Sequence, residues 1–81
     1  MKVKYIGETF YDGLGLTNGK IYECISIDKE TKCLEIIDDD NEETLYPIDN
    51  PRPADGSSKG GKWEIIEDKD NKLSKYLQKV N

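Results

Sequence analysis

Eighty-one residues suffice for one domain with one small core and no sizeable internal cavity, because a chain this short buries only about 60–65 % of its unfolded surface. The chain has no histidine, so the commonest general base and the commonest transition-metal ligand are missing, which excludes Ser-His and Cys-His nucleophiles and His-containing zinc sites. A formal net charge of −5 works against phosphate-backbone binding, although the charge is uneven: residues 28–49 hold nine acids against Lys29 and Lys32, while Lys69, Lys72, Lys75 and Lys79 outweigh Asp70 in the tail.

Residues 2–6 alternate Val3 and Tyr5 with Lys2, Lys4 and Ile6, which predicts a first strand. Gly7 ends it, and residues 8–19, with Gly13, Gly15 and Gly19 and no clean period, form a long excursion loop. The loop closes on Asn18-Gly19, a tight turn needing positive φ, which Gly adopts freely and Asn tolerates. A second strand follows over 20–27, where Ile21, Tyr22, Ile25 and Ile27 suit a pleated, half-buried surface. Tyr22 and Cys24 take one face of it, and Ile21, Ile25 and Ile27 the other. A bulge near Cys24-Ile25 would let both sets contribute to a bent strand. Residues 28–31 make a turn, 32–37 a third strand, 38–42 another turn, and 43–47 a fourth strand that stops at Pro47, where a ladder donor is lost. Residues 48–61, with Pro51, Pro53 and three glycines among polar neighbours, read as a mobile surface loop that buries too little to order itself. A fifth strand spans 62–66. Leu73, Tyr76, Leu77 and Val80 then form the apolar stripe of a short helix that must dock or fray.

These elements predict a mainly all-β fold, a small five-stranded SH3-like barrel over residues 1–67 followed by a C-terminal helix or tail over 68–81. Five strands can close around a single core, and partial closure limits exposed edges. The segments Val3-Lys4-Tyr5-Ile6-Gly7, Leu16-Thr17-Asn18-Gly19-Lys20-Ile21-Tyr22-Glu23 and Leu45-Tyr46-Pro47 resemble a group of short bacterial and phage-encoded SH3-like proteins of uncharacterised function. The likeness covers roughly residues 2–67 and rests on turns and core positions, so it implies a fold and no activity. The chain departs from that pattern in its longer loop 48–61 and its lysine-bearing helix. SH3-like domains line a shallow ligand groove from the long first loop and the end of the fourth strand. The resemblance therefore implies a groove at Phe10, Tyr11, Tyr46 and Pro47. The alternative is that Phe10 or Tyr11 plugs the barrel and Tyr46 belongs to the core, as Tyr5, Tyr22 and Trp63 are expected to do.

The remaining chemistry is sparse. Cys24 and Cys33 lack Cys-x-x-Cys spacing, cannot close a zinc site, and read as free thiols in a reducing, cytoplasmic setting, with no disulfide. Asp38-Asp39-Asp40-Asn41-Glu42-Glu43 invites a calcium reading, but an EF-hand count from Asp38 meets Glu43 where glycine is needed and Asp49 where glutamate is needed; it reads as a solvated acidic hairpin tip. Gly13-x-Gly15-x-x-x-Gly19 leads into a strand, not a helix, and so is no phosphate loop. No segment approaches the ~20 apolar residues that span a bilayer, and the N-terminus has no signal-like apolar run. The expectation is a non-catalytic interaction module without cofactor or metal, monomeric or weakly dimeric. It would bind a protein or peptide through an aromatic groove with an acidic rim. The alternative is a nucleic-acid-associated barrel that uses its lysine-rich tail, a partner that the net charge disfavours.

Overall fold

The computed structural model describes residues 1–10 and 14–77; Tyr11, Gly13, Lys79 and Val80, which carry expectations from the sequence, lie outside them. The strands are β1 (Lys2–Gly7), β2 (Ile21–Asp28), β3 (Cys33–Ile37), β4 (Glu43–Pro47) and β5 (Gly61–Glu67), followed by a 3-10 turn (Lys69–Asn71) and the helix α1 (Lys72–Leu77). Each lies within one residue of its predicted ends, because the alternation that marks a strand is local. All neighbours pair antiparallel in the order β4-β3-β2-β1-β5. Among the described residues the sheet does not close, so β4 and β5 are its two edges.

The Asn18-Gly19 turn is built more economically than expected. Lys20 N–H donates to the Thr17 carbonyl at 3.1 Å, and within the turn only Gly19 has positive φ, at 83°. Asn18 serves differently: its Oδ1 accepts the Gly7 N–H at 3.1 Å, tying the turn to the end of β1. In β2 the bulge falls where the facing conflict demands it. Cys24 pairs with Ile36 but Ser26 pairs with Glu35, leaving Ile25 as the extra residue. The parity of the strand flips there. Tyr22 and Cys24 face the core before the bulge, and Ile27, opposite Leu34, faces it afterwards. Ile21 and Ile25 stay exposed, so only part of the second set is recruited.

Val3, Tyr5, Leu16, Leu34, Ile36 and Leu73 are fully buried. Through them runs a chain of four rings, Trp63–Tyr5–Phe10–Tyr46, each successive pair edge-on with centroids 5.9 Å apart, the geometry that aromatic quadrupoles favour. The Trp63 indole N–H donates to the Pro47 carbonyl at 3.0 Å, so one side chain bridges the two open edges of the sheet.

One segment differs from the sequence analysis, and for another the structure selects between the two alternatives left open. The loop 48–61, expected to bury too little to order itself, sinks Pro51, Ser58 and Gly60. It is tied to Glu8, whose N–H donates to the Gly60 carbonyl and whose carbonyl accepts the Ser58 hydroxyl, both at 3.1 Å. The helix docks. Leu73 is buried in the core, and Asp68 caps α1 by accepting the N–H groups of Leu73 and Ser74 at 2.7 and 2.9 Å. No described helix is long and apolar enough to cross a membrane.

Candidate functional site

The exposed edge of β4 follows from its register. Ile48 N–H donates to the Lys32 carbonyl and Asp38 N–H to the Glu42 carbonyl, both at 3.0 Å. With Leu34 opposite Tyr46 and Ile36 opposite Thr44, the even-numbered residues of β4 turn their backbone groups to β3. Antiparallel alternation then sends those of Glu43, Leu45 and Pro47 outward. Pro47 has no N–H, and its carbonyl is taken by Trp63, so that end of the edge is closed. Leu45 is different: the register turns its N–H and carbonyl away from β3, on the side where no further described strand pairs.

Beside this edge lies a cleft of about 620 Å³ whose lining joins Thr44–Pro47 to Arg52–Asp55 and to Phe10, Leu14 and Gly15. Phe10, Tyr46 and Pro47 of the sequence-derived groove thus converge on one place. The two rings are not presented to solvent, however: Phe10 is 8 % and Tyr46 6 % exposed. Phe10 folds inward because Gly15 leaves room for it; a side chain there would collide with the ring. The alternative of a ring that plugs the core is therefore the one realised at Phe10. The accessible apolar surface is supplied instead by Leu14 and Leu45, 58 % and 46 % exposed, neither of which stood out in the sequence. The expected acidic rim is absent from the lining, whose charged side chains are Arg52 and Asp55, one of each sign.

The acids missing from the rim hold the floor in place. Asp38, 8 % exposed, accepts the Tyr46 hydroxyl at 2.8 Å on Oδ2 and the N–H groups of Asp40 and Glu42 at 3.0 and 3.3 Å on Oδ1. Asp39 accepts the Tyr22 hydroxyl at 2.8 Å, the Thr17 hydroxyl at 2.8 Å and Lys20 Nζ at 2.7 Å. The solvated acidic tip read from the sequence is thus corrected for two of its residues. Satisfied in this way, they bear burial without a metal counter-ion. Burial works against ionised Asp39, but the hydrogen bonds from Lys20, Thr17 and Tyr22 outweigh it and hold its carboxyl below the ordinary range. Burial and the neighbouring Asp39 carboxylate push the Tyr22 phenol up to about 12, and burial, with donation to Asp38, raises Tyr46 further still. These phenols stay neutral and act as donors. One residue could have pointed to the network, since a turn-opening Asp commonly caps the N–H groups that follow it, as Asp38 does here.

Cys24 and Cys33 are free. Burial pushes the Cys24 thiol up to about 11, whereas Cys33 is half-buried and lines the cleft. Comparison with known proteins returns no matching family model, no matching curated protein and no matching solved structure.

Proposed function

We propose that this chain is a non-catalytic SH3-like module that binds an extended segment of a partner protein in the cleft beside β4. The observation that carries the reading is the outward-facing edge of β4 at Leu45, with no further described strand beside it, opening onto an apolar lining. A free edge offers main-chain hydrogen bonds, and side-chain pockets at alternate positions give selectivity. Leu14, Leu45 and Pro53 supply the apolar contacts, and the Tyr46–Asp38 pair fixes the floor so that little is reorganised on binding. The strand order, in which β5 returns beside β1, supports the barrel-like assignment; the Trp63–Pro47 hydrogen bond stands where a closed barrel would have further pairing.

The test is selection of peptides from a random displayed library against the intact chain, followed by amide chemical-shift mapping. Selected peptides are expected to shift the Thr44–Tyr46 amides and to lose binding to Leu45→Asp and Leu14→Asp, both at exposed positions that leave the core untouched. Peptides that bind both variants as well as the parent, or that shift a different surface, would overturn the assignment.

A further inference from the structure

A second surface emerges once the chain is folded. The net charge of 28–49 is unevenly placed: Lys29 and Lys32 lie at the β2–β3 turn beside Asp28 and Glu30, which leaves that turn balanced, whereas the five acids of 38–43 lie at the far end of β3. Lys32 and Asp38 flank β3 and stand six residue steps apart, about 20 Å at ~3.3 Å per step. At the lysine end, α1 folds back so that Tyr76 lines two adjoining clefts. One, of about 480 Å³, contains Lys29, Lys72 and Lys75; the other, of about 520 Å³, contains Lys29, Lys32 and Arg52. Five cations therefore line the two clefts that share this ring, and among the described residues Asp49 is the one carboxylate in either lining. Lys29 Nζ stands 5.8 Å from the ring centroid. All five cations are exposed, and among the described residues the one ion pair within 4.0 Å is Lys20–Asp39, elsewhere on the molecule.

We propose that this surface binds single-stranded nucleic acid, with the five cations contacting phosphates and Tyr76 stacking on a base. An aromatic platform inside a positively charged groove is the arrangement that such strands require. An acidic peptide would use the lysines but not the ring, and duplex recognition would require an element that enters a groove. The overall negative charge does not forbid the interaction. Charge–charge interactions at physiological salt fall off over about 8 Å, so the acidic end of β3 is muted while the adjacent lysines act directly. The sequence pointed only to the tail lysines; the fold adds Lys29, Lys32 and Arg52 to them.

The experiment is a fluorescence-anisotropy titration of the intact chain with a labelled 20-nucleotide oligo-dT and the corresponding oligo-U across 20–200 mM salt. Affinity is expected to fall with salt at a logarithmic slope of about −3.5, from ~0.7 for each of the five phosphates contacted. Lys72→Gln/Lys75→Gln and Lys29→Gln/Lys32→Gln should each reduce that slope by about 1.4. Tyr76→Leu should weaken binding about tenfold with the slope unchanged, and Lys4→Gln/Lys62→Gln, on other strands, should leave both unchanged. Circular dichroism confirms that each variant is folded. No binding at 20 mM salt overturns the proposal. So does a poly-glutamate peptide that binds as tightly as the oligonucleotides, which would make the surface an acidic-protein site, or an equal effect of the Lys4/Lys62 pair.

Discussion

Replacing Tyr46 with Phe isolates the contact on which the floor of the β4 cleft depends. The ring, its edge-on packing on Phe10 and its burial remain; only the hydroxyl that donates to Asp38 Oδ2 at 2.8 Å is removed. Asp38 keeps the Asp40 and Glu42 N–H groups on Oδ1, but at 8 % exposure little water can reach Oδ2 to replace the phenol. Hydrogen bonds to a charged group contribute roughly 1.5–3 kcal/mol, and relief of the buried hydroxyl offsets only part of that. We therefore expect a loss of about 2 kcal/mol. For a domain of this size that lowers Tm by roughly 10 °C and the urea midpoint by about 2 M, at a slope near 1 kcal/mol per molar. A double-mutant cycle makes the cause explicit. In an Asp38→Asn background the lost bond is neutral–neutral, so Tyr46→Phe should cost only about 1 kcal/mol, giving a coupling of similar size. A Tyr46→Phe protein within 0.5 kcal/mol of the parent, or a cost unchanged by Asp38→Asn, would refute the reasoning.

Acid should act through Asp39. Its folded-state pKa is held below the ordinary carboxylate value, so the unfolded chain binds the proton first, and stability present above about pH 4 is lost as pH falls through the folded value. Asp39→Asn should make the acid limb of a stability–pH curve shallower, while Asp68, also depressed, leaves part of it in place; an unchanged limb excludes Asp39. At pH 8, iodoacetamide followed by mass spectrometry should label Cys33 quickly and Cys24 only on global opening, because Cys24 is buried with its thiol raised to about 11; equal rates would contradict this. Gly15→Ala forces a methyl into the Phe10 ring, and overpacking of this kind costs about 1–3 kcal/mol. Its signature in urea unfolding should be largely relieved in a Phe10→Leu background, and an additive double variant would show that the two do not collide.

The strands were legible in the chain because their signal is carried by neighbours two residues apart. Val3 with Tyr5 and Leu34 with Ile36 announce a face regardless of what they pack on. Even the β2 bulge was legible, since one strand cannot place Tyr22, Cys24 and Ile27 on one face without an extra residue. The apolar stripe of α1 was legible from its three- and four-residue spacing, but that Leu73 docks rather than frays was not. What failed depends on partners distant in sequence. Asp38 and Asp39 looked solvated because a run of acids carries no sign of Tyr46, Tyr22 and Lys20, which only strand pairing brings to them. Phe10 looked available because its position on a loop is visible, whereas the room that Gly15 leaves is not. Loop 48–61 looked loose because its burial is secured by Glu8, some fifty residues away.

The two proposed surfaces are neighbours, and their shared boundary allows them to be told apart. Pro47 and Arg52 belong to both the β4 cleft and the Tyr76 surface. A ligand on one side changes the field and the packing that the other ligand meets, and any coupling must be equal in both directions. An anionic strand beside Arg52 withdraws that cation from a peptide carboxylate but favours a peptide with a basic end. Arg52→Gln should therefore weaken both ligands, Leu45→Asp the peptide alone, and Lys72→Gln/Lys75→Gln the oligonucleotide alone. Cys33 lies in the cleft lining and not in that of the Tyr76 surface, so its alkylation rate reports peptide occupancy without a label. Slowing by peptide but not by oligonucleotide requires two sites, and equal slowing by both requires one continuous site.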